Sequence, residues 1–297
     1  MVISDIQSDI RAIEEDAALH TATNFDNRAN AIDFIDFHII DRIDGLLQTA
    51  PLEELAVLRQ RAVALKSSLE AVDTTLFAQL REQIRRKVYT GPAFLEMIRS
   101  YTANDIDQQA EIGYDNLDIF INRLLSDQDA PAPTMAVEPE MVFYQKTPAR
   151  IIFEMMELAQ LQPGDVFFDL GSGLGQVAIL AHLISGVSAS GIEYEPAYCS
   201  YANTCAEQLN LNDVRFIPIN ALQADYAAGN VFFMYTPFEG AMLQSVLDIL
   251  QAEAQRKTIT IFSYGPCSSH VARQSWLSCI NGEGDDLYKL YEFRSVM

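Results

Sequence analysis

An α/β fold is what this sequence predicts: a doubly wound, mostly parallel sheet of the seven-stranded type, with an all-helical N-terminal domain ahead of it. Three observations predict it. From about Pro148 onward, short runs rich in β-branched and aromatic residues alternate with helix-like stretches. One run, Val166-Phe-Phe-Asp-Leu170, ends in an acid and leads at once into Gly171, Gly173 and Gly175. That is a strand that bends sharply into a helix start. Before residue 130 the apolar residues recur at helical spacing.

In chain order, Ile32, Ile35, Ile39, Ile43 and Leu46 or Leu47 mark one helix face, and Asp33, Asp36, Asp41 and Asp44 the other. Those acids read as a solvated face, since one stripe of one helix does not enclose a metal ion. Pro51 to Val88 is a long helical pattern, bent or broken near Asp73-Thr-Thr75. Arg81, Arg85, Arg86 and Lys87 gather at its end, where bases complement the helix dipole, with an anion site as the minor alternative. Gly91-Pro92 punctuates, and helices resume over 93–101 and 114–125. Residues 127–139, rich in Pro and without periodicity, form a linker.

The second half reads as a helix over 149–161, a Pro163-Gly164-Asp165 turn and strand 166–170. A helix from Gln176 to Ser185 stops at Gly186. Strand 187–193, a Pro-started helix over 196–209 and strands 214–219 and 230–236 follow. A helix over 239–254, strand 258–264, a helix near 269–277 and a final strand-like run 287–296 complete the pattern. Within helix 176–185, Val177 to Ile184 is apolar nearly all round, so it is expected to be buried on both sides, with His182 a core or interface residue.

The glycine loop suits a nucleoside ligand, because backbone can approach it and a helix N-terminus offers free N–H groups. Gln176 stands where a dinucleotide fingerprint has its third glycine, which argues against a nicotinamide cofactor. Glu193 ends the second strand about 20 residues on, where a carboxylate accepts ribose hydroxyls.

Asp169 followed by Gly171-Ser172-Gly173-Leu174-Gly175 resembles motif I of the class I S-adenosylmethionine-dependent methyltransferases. Between Phe143 and Ile179 the chain further resembles the non-SET histone lysine methyltransferases: Phe143-Tyr-Gln-Lys-Thr-Pro148, a helix, then Val166 to Gln176. A second non-SET type, small lysine methyltransferases acting on organelle proteins, is similar in its Pro-containing loop. The resemblance implies S-adenosylmethionine as cofactor. It implies that Tyr144 and Thr147 line it, that Asp169, Gly171, Ser172, Gly173, Gly175 and Gln176 form its loop, and that Glu193 holds its ribose. Asn220-Ala221 would meet the adenine, with Asp225 a substitute for the usual acid. Thr236 and Pro237 would overhang the methyl group. Tyr235-Thr-Pro-Phe238 has no acid or amide at its first position, which argues against an exocyclic base amine as acceptor. The catalytic group is left open among Tyr144, Tyr235, Phe238, Tyr114 and Asp115.

The expected division is a helical lid or accessory domain over 1–130, a linker and cofactor-access loop over 131–147, and a methyltransferase domain over 148–297. The expected reaction is methyl transfer to a protein lysine amine. A small-molecule N- or O-methyltransferase with a helical lid is the alternative, and a non-catalytic scaffold on the same fold is a third. With 41 acids against 20 bases, net −21, the chain repels nucleic acid and favours a basic protein or cationic small molecule. No apolar run is long enough to span a membrane. The N-terminus lacks the basic and apolar regions of a signal peptide, and the four cysteines form no C-x-x-C pair. Reduced thiols, no metal and a cytoplasmic location are expected; the oligomeric state is left open.

Overall fold

In the computed structural model, residues 2–49, 52–102 and 113–296 are described. Residues 103–112 of the expected helical region, and Pro51 at the start of the long helix, lie outside them.

The strands are β1 (Val166–Leu170), β2 (Ser188–Glu193), β3 (Val214–Pro218), β4 (Val231–Met234), β5 (Thr260–Ser263), β6 (Leu277–Cys279) and β7 (Tyr291–Ser295). They form one sheet in the order β3-β2-β1-β4-β5-β7-β6. The first five run parallel, and β7 pairs antiparallel with both β5 and β6. β1 is central and almost wholly buried, as its unbroken apolar run requires. Strand order reverses between β1 and β4, so a crevice opens at their carboxyl ends, where Gly171 and Tyr235 begin the following loops.

The helices flanking the sheet are α7 (Ala149–Ala159), α8 (Gln176–Ser185), α9 (Pro196–Gln208) and α10 (Gly240–Ala254). Helix and strand periods in the sequence located all of them within a few residues. The end of the chain differs. The helix expected near 269–277 is only α11 (Ser268–Val271), and Leu277–Cys279 is a strand. Its antiparallel ladder to β7 is non-local and leaves no periodic mark in three residues.

The helical region comprises α1 (Val2–Glu15), α2 (Phe25–Phe34), a π-helical stretch (Ile35–Ile40), α3 (Asp41–Thr49), α4 (Glu53–Arg85), α5 (Pro92–Tyr101) and α6 (Asn116–Leu125). Ile35, Ile39 and Ile43 are buried as the stripe predicts. Of the acids opposite, Asp36 pairs with Lys66 at 2.5 Å and Asp44 with Arg59 at 2.6 Å. No metal cluster occurs among the described residues.

The expected break at Asp73 is absent: α4 runs unbroken through it. Asp73 is 1% exposed and binds two guanidiniums, Arg28 Nε at 2.7 Å and Arg123 Nη1 at 3.0 Å. Thr74 and Thr75 turn their hydroxyls back onto the carbonyls of Glu70 and Ala71. The bases near the end of α4 are dispersed: Arg81 donates to the Arg123 carbonyl, Arg85 to the Gln208 carbonyl and Arg86 to Glu82.

Two cores divide this region unequally. Ile6, Ile10, Ile35, Ile39, Ile43 and the first half of α4 make one. The second half of α4, with Phe25, Phe94 and Phe120, shares a continuous core with β1 and α8. Six of the ten residues of α8 are buried apolar side chains: Val177, Ala178, Ile179, Leu180, Ala181 and Leu183. Helices α5 and α7 cover it, and the Gly91 N–H donates to the Leu183 carbonyl at 2.8 Å. His182 is held by a contact of Nδ1 with the Val187 carbonyl at 2.8 Å. Helix Asn116–Leu125 is set by Asp115, whose carboxylate accepts from the Leu117 and Asp118 N–H groups. All four cysteines are free thiols.

Candidate active site

The loop after β1 is glycine at each point where geometry leaves no alternative. Gly171, Gly173 and Gly175 have φ of 74°, 50° and 85°, left-handed values that cost other residues energy. Space is equally tight. A Cβ on Gly171 would lie 2.2 Å from Pro237 Cβ, and one on Gly173 would lie 2.0 Å from the Tyr144 ring. The resemblance puts Gly173 in the cofactor's loop. Tyr144 stacks against it, from the loop before α7.

Around the loop, polar atoms are buried without partners. Asp169 is 2% exposed and its Oδ2 meets no donor among the described residues; Ser172 Oγ and both amide atoms of Gln176 likewise find no partner among them. Each such group costs about 1–3 kcal/mol. Burial, and next to it the charge of Glu193, raises the Asp169 carboxyl well above its usual range. Thr147, Lys146, Tyr144 and Tyr235 complete the small cleft that these atoms face. A cleft of this kind demands a ligand carrying a cation for Asp169 and further polar groups for Ser172 and Gln176. The amino-acid part of S-adenosylmethionine has that chemistry, and the residues fit it.

Beyond Glu193 the cleft widens into a cavity of about 370 Å³ bordered by Ile192, Tyr198, Ala221, Pro237 and Phe238. Glu193 Oε2 accepts from the Gly173 N–H at 2.7 Å and Oε1 from the Glu195 N–H at 2.9 Å. Burial raises its carboxyl, and these backbone donors only partly offset that. Asn220 donates to Glu138 at 3.1 Å and its Oδ1 caps Leu222. Asp225, the substitute considered for it, is exposed and caps Ala227 away from the cavity.

The sequence expected a linker and cofactor-access loop over 131–147, but not the acids that anchor it. Residues 133–142 form a strap across this cavity. Glu195 accepts the Thr134 N–H and hydroxyl and the Met135 N–H, at 2.6–2.8 Å. Burial works to raise Glu195, yet these bonds and that of Ala197 hold it down to about 2. Glu138 accepts from the Tyr194 hydroxyl at 2.9 Å, and Glu140 accepts from the Ala241 and Met242 N–H groups at the start of α10. Val142 N–H then donates to the Pro237 carbonyl. Glu138 and Glu140 within a Pro-rich run were the available signal.

Of the catalytic candidates, Tyr144 and Tyr235 meet at the cleft, and Phe238 is 3% exposed in the cavity wall. Tyr235 lies with its ring centroid 5.0 Å from that of Tyr264. Burial and the nearby phenols of Tyr114, Tyr264 and Tyr288 push Tyr235 up to about 12. Burial also raises Tyr144 and Tyr114. Tyr114 donates its hydroxyl to the Lys146 carbonyl at 2.6 Å and so braces the Tyr144 loop. Asp115 caps its helix and borders neither cavity. Asp118 accepts from the Ala149 N–H at 2.8 Å; burial raises its carboxyl to about 6.

Residues 140–234 match the family model described as histone methylation protein DOT1. The search of curated proteins gives no match. Among solved structures, an RNA methyltransferase from Salinibacter ruber in complex with S-adenosyl-L-homocysteine is 24% identical, over 51% of this chain and 92% of that one, with a TM-score of 0.40. A precorrin-6y C5,15-methyltransferase from Geobacter metallireducens is 15% identical over 52% and 92%, with a TM-score of 0.39. The geranyl diphosphate C-methyltransferase of Streptomyces coelicolor is 24% identical over 40% of this chain and 45% of that one, with a TM-score of 0.32. With the family match spanning the strand–glycine loop–helix unit and the sheet wound in the matching order, the chain is a Rossmann-like, class I S-adenosylmethionine-dependent methyltransferase.

Proposed function

We propose that this enzyme transfers the methyl group of S-adenosylmethionine to a lysine amine of a protein. The observation that carries the reading is the aromatic wall at Tyr235, beside which the methyl group would lie: the Tyr264 ring packs against Tyr235, and Tyr144 lines the same cleft. An aliphatic amine is recognised by aromatic faces and neutral hydroxyl oxygens. The family match over 140–234 and the net charge of −21, which attracts a basic protein, support the same acceptor.

The cofactor supplies an already activated methyl group, so the protein's part is binding, alignment and exclusion of water. Asp169, Ser172 and Gln176 would hold its amino-acid part, Glu193 the ribose, and Thr147 and Tyr144 the side facing α7. With their phenols raised by burial, Tyr144 and Tyr235 stay protonated at neutral pH. They orient the amine through their oxygens and do not take its proton. The amine therefore arrives deprotonated from solvent, and the rate should rise with pH toward the lysine pKa near 10.4.

The test is transfer of tritiated methyl from S-adenosylmethionine to a whole lysate and to purified histones, separated into protein and small-molecule fractions. Label on protein, mapped to lysine by mass spectrometry, is the expected result. Label confined to small molecules, or to another residue type, would overturn the lysine assignment.

A further inference from the structure

A second cavity, of about 470 Å³, lies where the helical region meets the α/β half. Phe77 and Arg81 of α4, Arg123 of α6, Lys146, Gln176 of α8 and Tyr201 of α9 all border it. Its size suits a small organic ligand.

Its electrostatics oppose those of the whole chain. Arg123 shares the buried Asp73 carboxylate with Arg28, so two guanidiniums stand on one acid. Arg81 gives Nη1 to the Arg123 carbonyl at 2.7 Å, and among the described residues its one ion pair is with the exposed Asp127, at 3.4 Å. Lys146 Nζ donates to the neutral amide oxygen of Asn122 at 2.7 Å, and among the described residues it forms no ion pair. Asp127 and Asp129 also border the cavity, and both are exposed. Gln176, 5% exposed and already placed in the cofactor cleft, also lines it. Cations with spare donors and two aromatic walls together describe a site for an anion with an apolar part.

We propose that this cavity binds a small organic anion bearing a phosphate or carboxylate group, held by Arg81, Arg123 and Lys146. Lys146 and Gln176 also border the cleft beside Asp169, so the occupant biases cofactor affinity through two shared side chains. This site stands whatever the methyl acceptor is.

The experiment uses the full chain in thermal-shift and calorimetric titrations with inorganic phosphate and with malonate, chloride at equal ionic strength serving as control. Each is run with and without S-adenosylhomocysteine. A saturable rise in melting temperature of roughly 5 °C at a hundredfold excess over Kd is expected. Arg81→Gln and Lys146→Gln should each weaken the anion by at least about tenfold, and Lys146→Arg should retain it. A rise that chloride reproduces, or that Arg81→Gln leaves intact, would overturn the site. Strict competition with S-adenosylhomocysteine would also overturn it, by placing the anion in the cofactor's own carboxylate position. Should a variant not fold, amide NMR of the unaltered chain decides: phosphate must shift Gln176 and Ser126, and shifts confined elsewhere refute the proposal.

Discussion

Asp169 is a carboxylate with a job the protein alone does not complete. Buried and with one oxygen unpartnered among the described residues, it holds its proton to higher pH than usual, and Glu193 is raised beside it. If both acids serve the cofactor as charged acceptors, binding must expel protons. Affinity for S-adenosylmethionine should then strengthen as pH rises through these raised values, with net proton release. Calorimetry in buffers of different ionisation enthalpy checks this, and proton uptake would refute it. Glu193→Ala should cost at least about tenfold in affinity. That Asp169, Gly173 and Glu193 gather at one loop was legible, because a strand end and a glycine loop constrain residue type strongly. The job of Asp118 was not, since burial is a tertiary property. Its carboxyl is raised to about 6 from 3.8, so between those values the folded state binds more protons than the unfolded one. Stability therefore falls as pH rises through that window, and above it the penalty is up to about 3 kcal/mol. Asp118→Asn keeps an oxygen for the Ala149 N–H but forfeits the Asp115 N–H, about 1 kcal/mol. At pH 7.5 the variant should be more stable by about 1–2 kcal/mol, an advantage that vanishes below about pH 4. Denaturant melts at both pH values test it.

At the scale of elements, the glycine loop and the strap behave differently under mutation. Gly173→Ala meets both a left-handed backbone and the Tyr144 ring. It should lower S-adenosylhomocysteine affinity by at least about tenfold and destabilise the chain, and Tyr144→Ala in the same chain should restore part of the stability but not the affinity. Denaturant melts and calorimetry on both variants separate the two effects. The elements of the sheet were legible because their signal is local: β1 and α8 begin and end where the apolar run, the glycines and Gly186 place them. β6 and the strap were not. Three residues carry no period, and the strap's conformation is dictated by Glu195, some sixty residues further along the chain. An unbroken α4 was missed for a related reason. Asp73-Thr-Thr75 reads as a turn until Arg28 and Arg123 are brought to the acid.

For the whole molecule, one hydrophobic core runs across the boundary expected at residue 130. Phe77 and Phe120 pack in the same cluster as Phe167 and Ile179, and helix Pro92–Tyr101 covers the second face of α8. A fragment of residues 131–297 should expose that surface, each large side chain forfeiting about 1.5–3 kcal/mol, and aggregate. Size-exclusion chromatography with light scattering checks it. A soluble monomer that binds S-adenosylmethionine as tightly as the full chain would make the two parts independent.

Helix α4 has 33 residues, about 50 Å at the usual rise. Its first half belongs to the distal core and its second half to the core that contains the sheet. An axle of this kind ties two bodies into one melting unit, because neither end can fray without loosening packing around the other. Calorimetry of the full chain should therefore show a single transition with matching calorimetric and van't Hoff enthalpies, and the slowest-exchanging amides should run along α4 past Asp73 in one uninterrupted block.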